Sequence, residues 1–255
     1  MSTSPDFGLA HAVYRAFRPP YPASLYDRIT VELAPPRALA VDLGAGTGLV
    51  SAELSRRFDR VIAVEPDAAM ASHLRDAAPT VELQSVRAEL AELPERGVDL
   101  ICCANALYWM DGPAVLAKVG RWLRPGGVFA AWRYLFPNMP SALAGIIAEE
   151  FATRWRKHQD VRVTTTGVTR QWVEAESSLE LLAAEAVPNF VPMTAAQMVG
   201  FSASTSFGAA YLRTLAPNEA SRYLADLEQR ILAITGPTPT DIDFELTLVL
   251  ARAVR

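Results

Sequence analysis

Short, largely apolar runs alternate along this chain with longer amphipathic stretches, and the alternation predicts its fold. The apolar runs predict strands at 38–43, 60–64, 81–86, 98–104 and 127–133, with helices at 47–57, 67–77 and 112–122. Strands apolar at every position, rather than at every second one, belong to a parallel sheet covered by helices on both faces. Their regular alternation with helices predicts a doubly wound, mostly parallel α/β sheet. Residues 1–36 are polar, aromatic and proline-rich. Leu25, Ile29 and Leu33 recur there at helical spacing, which predicts a helical arm. After Pro137 and Pro140 the alternation stops. Ser141 to His158 and Gln171 to Ala186 read as helices, 218–234 as another, and Phe244 to Ala253 as a closing strand. A sixth strand is poorly marked, with its expected place within 183–193. The division that follows is an arm (1–36), an α/β core (37–136), a cap insertion (137–217) and a return to the sheet (218–255).

Composition narrows the function. With 255 residues, 51% of them hydrophobic, the chain can bury a substantial core. A net charge of -4 gives no electrostatic footprint for nucleic acid. No apolar run reaches a membrane span and no signal pattern opens the chain, so a cytoplasmic protein is expected. Cys102 and Cys103 are adjacent, which in a strand sends them to opposite faces, so neither a bridge nor a metal site is expected. The expected partner is a small molecule, and the expected state a monomer or homodimer.

The most informative segment is Val41-Asp42-Leu43-Gly44-Ala45-Gly46-Thr47-Gly48, followed by Val61 to Asp67. It reads as a strand ending in an acid, a turn of three glycines, a helix, and a second strand ending in Glu65. Such a turn presents backbone N–H groups at a helix start to a ligand that must approach closely. The spacing is G-x-G-x-G, and Leu49 stands where a dinucleotide fingerprint has its third glycine. Asp42 would repel a pyrophosphate but attract an ammonium group. Glu65 lies about twenty residues past the first glycine, the spacing of an acid that takes a ribose hydroxyl pair. A nucleoside with a cationic amino-acid tail, S-adenosylmethionine, suits both acids.

These residues resemble the first motif of class I S-adenosylmethionine-dependent methyltransferases. The likeness continues through Tyr14 with Arg18-Pro19-Pro20-Tyr21-Pro22, Ala88-Glu89-Leu90 with Leu93-Pro94, Asp99 to Asp111, and Leu123-Arg124-Pro125-Gly126-Gly127. In this order the motifs are similar to the small-molecule branch that includes trans-aconitate methyltransferase. The resemblance implies a seven-stranded Rossmann-like sheet whose last strand is antiparallel, and S-adenosylmethionine as methyl donor. It implies a donor site of Tyr14, Arg18, Tyr21, Asp42, Gly44, Ala45, Gly46, Gly48, Glu65 and Pro66. Met70, Ala88, Glu89, Ala104, Asn105 and Trp109 complete that site.

Methyl transfer from a sulfonium is an in-line displacement, so it needs alignment and exclusion of water more than a strong acid or base. Aromatic faces tolerate the cation, which makes Tyr14, Tyr21, Tyr108, Trp109 and Trp132 candidate walls. Tyr14 and Tyr108 are the candidate catalytic residues, and Tyr108, Trp132 and Arg133 the candidate acceptor contacts. Tyr108 stands where the branch usually has histidine, and Asn105 where it has glutamine. A tyrosine, with an ordinary pKa of about 10, is a poor base at neutral pH and a better donor or ring wall. His11 lies in the arm, His73 on a helix flank, and His158 beside Arg154, Arg156 and Lys157, which read as a wet helix face. Arg18 and Arg133 suit a carboxylate of donor or acceptor. An S-adenosylmethionine-binding module or lyase-type enzyme that transfers no methyl is the alternative.

Overall fold

The computed structural model describes residues 17–134, 137–164 and 167–254. In chain order its strands are β1 (Leu39–Leu43), β2 (Arg60–Val64), β3 (Glu82–Gln84), β4 (Val98–Ala104), β5 (Leu123–Tyr134), β6 (Leu179–Val187), β7 (Phe190–Met193), β8 (Thr240–Asp243) and β9 (Leu246–Ala253). The helices are α1 (Ala23–Thr30), α2 (Leu49–Leu54), α3 (Ala68–Ala77), α4 (Gly112–Trp122), α5 (Ser141–Glu150), α6 (Val161–Thr164), α7 (Val168–Ala175), α8 (Ala195–Ser204), α9 (Ser206–Leu212) and α10 (Pro217–Thr235). They assort into two compact units. One comprises 21–135, 165–187 and 246–255, and the other 1–20, 136–164 and 188–245.

The first unit is built on a seven-stranded sheet ordered β3-β2-β1-β4-β5-β9-β6. β1 pairs in parallel with β2 and β4, β2 with β3, and β4 with β5, whereas β9 runs antiparallel between β5 and β6. β1 is buried at all five positions, which is why its sequence lacks alternation. On one face Val41, Ile101, Phe129 and Val249 pack with Val115, Leu116 and Val119 of α4 and Val173 of α7. α4 approaches this layer closely, since a Cβ on Gly112 would lie 2.1 Å from the Trp172 ring. α1 carries the expected spacing, with Leu25, Tyr26 and Ile29 buried. Asp99 pins the opposite end of the sheet, accepting the N–H groups of Ala38 (2.9 Å) and Leu39 (2.8 Å) and pairing with Arg124.

Two expectations change here. The helix expected over Gln171 to Ala186 ends at Ala175, and Leu179–Val187 is instead edge strand β6, paired antiparallel with β9. Its Leu, Ala and Glu residues favour helix locally, so the pairing with β9 overrides propensity. A register shift between Leu181 and Ala183 also breaks the two-residue alternation that would have marked it. The closing strand begins at Leu246, and 240–243 forms a separate strand, β8, paired antiparallel with β7.

The second unit is largely helical. Ser141 to His158 is helical as expected, α5 passing into a wider turn over Phe151–Trp155 and a tight one over Arg156–His158. Within it Glu150 is fully buried and paired with Arg154 (3.1 Å) and Arg230, and accepts the Tyr223 hydroxyl (2.8 Å). Arg154 therefore serves this buried carboxylate rather than a wet face. α8 opens with a capping box, the Thr194 hydroxyl accepting the Gln197 N–H while the Gln197 side chain accepts that of Thr194.

Candidate functional site

Strand order reverses at β1, where β2 lies on one side and β4 on the other, and ligands of open parallel sheets bind beyond the carboxyl ends of strands at such a switch point. The sequence places its glycine turn there. Gly44, Gly46 and Gly48 all take positive φ (68°, 58° and 86°), a region that favours glycine. Their surroundings differ. A Cβ on Gly44 would lie 2.5 Å from the Cβ of Ala106, whereas one on Gly46 would meet nothing within 4 Å. Gly44 is thus packed against the loop after β4, and Gly46 faces open space.

Two buried carboxylates flank the turn. Asp42 is 1% exposed and accepts the Ser51 hydroxyl at 2.6 Å through Oδ2, while its buried Oδ1 has no hydrogen-bond partner. Burial pushes its carboxyl up to about 7, against the Ser51 hydrogen bond, and the negative charge of Glu65 adds to the rise. Glu65 accepts the Gly46 N–H at 2.7 Å and the Asp67 N–H at 2.9 Å, one on each oxygen. Burial raises its carboxyl above the ordinary value, although both N–H groups oppose this. Asp67, not Glu65, caps α3, accepting the Ala69 and Met70 N–H groups.

The remaining donor-site candidates divide. Ala45 is buried beneath the turn, Met70 is buried in α3, and Pro66 is exposed. Ala88 is packed into the core layer. Glu89 accepts the Asp111 N–H at 2.9 Å and pairs with Arg87. Burial raises its carboxyl, but these hydrogen bonds outweigh it and hold the group below its ordinary value. Ala104 ends β4, and Asn105 follows at φ 50° with its amide donating to the Tyr21 hydroxyl (2.9 Å). A side chain other than glycine at positive φ is strained, and such strain clusters at functional sites. Trp109 sits beside Tyr108, ring centroids 5.2 Å apart. Arg18, in the second unit, donates to the Ser204 carbonyl at 3.0 Å and lies over the Phe201 ring. Tyr14 and His11 lie outside the described residues.

The three acceptor candidates come together. Tyr108, Trp132 and Arg133 line one cavity of about 320 Å³, with Asn105 and Ala106 at the end of β4 and Gly167, Val168, Thr169 and Arg170 at the start of α7. The Arg133 guanidinium stands 4.8 Å from the Tyr108 ring centroid. Trp132 is 3% exposed, takes the edges of Tyr21 and Tyr26, and leaves its buried indole N–H without a partner. Ala106 touches both features: it packs on Gly44 and lines the cavity. Sequence reasoning missed Ser51 and the start of α7, and reached Ala106 only as part of the stretch after β4, with no role of its own. Ser51 was the findable one, a polar residue on the inner side of a helix opening Leu-Val, nine positions after the acid it bonds. Among the described residues no acid, histidine or cysteine cluster could hold a metal, and no helix is long and apolar enough to cross a membrane.

A methyltransferase-domain family model matches residues 41–131, from β1 into β5. A Dictyostelium discoideum protein assigned as a methyltransferase is 26% identical over 252 residues, 96% of this chain and 94% of that protein. An uncharacterised Mycobacterium tuberculosis methyltransferase is 38% identical over 122 residues, about half of each chain (48% and 49%). The solved structure of an Anaeromyxobacter dehalogenans protein assigned as a type II methyltransferase is similar at TM-score 0.74 and 25% identity, covering 92% of this chain and 98% of that one. A seven-stranded sheet with a glycine turn at its switch point, and these relatives, make residues 41–131 a methyltransferase domain of the class I S-adenosylmethionine-dependent kind, for which S-adenosylmethionine is the methyl donor.

Proposed function

We propose that the chain transfers the donor's methyl group to an oxygen or nitrogen atom of a small molecule held in the cavity beside Ala106. The observation that carries this reading is the single-residue wall: Ala106 separates the packed glycine of the turn from the acceptor cavity. Three features of the chain fit the donor. Open space beyond Gly46 leaves room for close approach of a ligand. The unpartnered Asp42 Oδ1 supplies negative charge for an ammonium group. Each Glu65 oxygen, having taken one N–H, keeps a lone pair for a ribose hydroxyl. Asn105 lines the cavity next to Ala106 and bonds Tyr21, and Tyr21, Trp109, Arg18 and Tyr14 are assigned to the donor site by the resemblance.

S-adenosylmethionine, when bound, supplies an electrophilic methyl group on a sulfonium that leaves as a neutral thioether. What the chain contributes is placement. Reaction requires the acceptor's lone pair in line with the methyl at about 3–3.5 Å, in a site drained of water. Ala131 and Val249 make part of the lining apolar, and the Tyr108 ring, fixed under Arg133, gives it an aromatic wall. The described lining holds no histidine, so Tyr108 acts through its ring and hydroxyl to orient the acceptor. Residues 167–170 and 184–186, at the start of α7 and in β6 of the sheet unit, complete the acceptor side of the cavity.

The test is incubation with methyl-labelled donor and a metabolite extract. Label is expected in a small-molecule product, with Tyr108→Ala slower than Tyr108→Phe. Label found only in protein or nucleic acid would overturn the acceptor class.

A further inference from the structure

We infer that Tyr26 is a positioning residue for the methyl donor: its hydroxyl hydrogen-bonds the Asp42 oxygen that Ser51 leaves open, directly or through one buried water, and so keeps that carboxylate charged for the donor's ammonium group. This rests on the proposal that Asp42 attracts the ammonium. The register of the sheet puts the relevant side chains on one face. Asp42 pairs with Cys102 across β1 and β4, and Ala104, two positions on, pairs with Trp132 of β5, so Asp42, Cys102 and Trp132 point the same way. α1 packs on that face through Tyr26, which is 2% exposed and meets the Trp132 ring edge-on, centroids 6.3 Å apart. The Arg57 guanidinium, just past α2, lies 4.8 Å from the Tyr26 centroid. α2 is also the helix whose Ser51 bonds Asp42.

The Tyr26 hydroxyl, Asp42 Oδ1 and Trp132 Nε1 are buried there without a hydrogen-bond partner among the described residues. Buried polar groups are nearly always paired, directly or through an ordered water, and this patch holds one open acceptor. Trp132 stands two strands away from Asp42, whereas Tyr26 lies within reach of the charges of Cys102 and Asp42. Burial raises the Tyr26 hydroxyl far above its ordinary pKa; Cys102, Asp42 and Glu53 add to the rise and Arg57 opposes it, so the group remains a donor. The other groups facing Asp42 do not serve. Ser51 is on Oδ2, Glu65 adds negative charge, and burial keeps the Cys102 and Cys103 thiols neutral. Glu53 and Arg57, which face Tyr26, pair with each other. A hydrogen bond donated to a carboxylate favours its charged form, which is the form the ammonium needs.

Calorimetry with S-adenosylhomocysteine on the full chain between pH 6 and 8.5 tests this in the wild type, Tyr26→Phe, Asp42→Asn and the double variant. Phenylalanine keeps the ring contacts and removes only the hydroxyl. Tyr26→Phe should move the pH profile of affinity up by about one unit, the size of a hydrogen bond to a charged group. The variant should then bind about five- to tenfold more weakly than the wild type at pH 6 and within about twofold at pH 8.5. In the Asp42→Asn background the same change should leave affinity within about twofold throughout. A Tyr26→Phe profile that coincides with the wild type, a loss of equal size at every pH, or the same loss in Asp42→Asn would overturn the inference alone. Asp42→Asn binding as tightly as the wild type, or a wild-type affinity that does not change over this range, would overturn the donor reading of Asp42 with it.

Discussion

Replacing Asp42 with Asn should stabilise the ligand-free protein above neutral pH while weakening its hold on the methyl donor. Burial lifts the Asp42 carboxyl from 3.8 to about 7, despite the Ser51 hydrogen bond and with Glu65 adding to the rise. At about 1.4 kcal/mol per unit, a lift of roughly three units costs the ionised folded protein about 4 kcal/mol relative to the unfolded chain. The sign follows from proton counts. Between pH 4 and 7 the folded state holds a proton that the unfolded state has released, so stability falls as pH rises through that window and levels off above it. Asn keeps an acceptor for the Ser51 hydroxyl, but its amide N–H groups replace an oxygen with no partner, at a cost of about 1–3 kcal/mol. The variant should therefore be more stable by about 1–3 kcal/mol at pH 8, a Tm rise of roughly 5 °C for a chain of this size. At pH 5 the gap should close or reverse. Far-UV circular dichroism melts without ligand at pH 5, 6.5 and 8 measure it. A gap that does not change with pH, or an Asn variant less stable at pH 8, would refute the reasoning.

Other outcomes follow from the same geometry. S-adenosylhomocysteine affinity of the wild type should fall as the pH drops below about 7, because a protonated Asp42 no longer attracts an ammonium group, and calorimetry should find no such dependence in Asp42→Asn. Glu65→Ala removes the acceptor for two backbone N–H groups as well as the proposed ribose anchor, so titration should show affinity more than tenfold weaker with a stability loss of about 1–3 kcal/mol. Glu150→Ala takes the carboxylate partner from Arg154 and leaves Arg230 paired with Glu149 alone. Both arginines are about one-third exposed, so water screens part of the effect, and thermal unfolding should report a loss of about 2–3 kcal/mol. An unchanged Tm would rule out a stabilising role for that cluster.

The glycine turn and its acids were legible in the sequence because both signals are local. Positive φ demands glycine at fixed offsets, and an acid ending an apolar strand is conspicuous. β1, β2, β4 and β5 were legible for a similar reason, since burial on both faces leaves nearly unbroken apolar runs, whereas the edge strand β3 has no buried position and is marked only by its place in the alternation. β6 was not, because Leu-Glu-Leu-Leu-Ala-Ala-Glu-Ala-Val favours helix until β9 pairs with it. Nor was β8, four residues whose partner β7 lies about fifty positions away. Of the site, Tyr108, Trp132 and Arg133 were picked out one by one. Their convergence on a single cavity depends on β5 lying beside β4 and on α7 returning to the sheet, which no local pattern encodes. Ala106 fell within the stretch after β4, but its particular role could not be read for the same reason, since that role lies in what it touches on either side.

Gly46→Ala tests the central claim, that the donor lies against this turn, most directly. The added methyl meets nothing within 4 Å in the ligand-free chain, so its structural cost is confined to the positive φ, about 1 kcal/mol. Titration calorimetry with S-adenosylhomocysteine should show a folded variant whose affinity has dropped at least tenfold, because the methyl fills the space through which the ligand approaches. A folded Gly46→Ala protein that binds as tightly as the wild type would contradict the account.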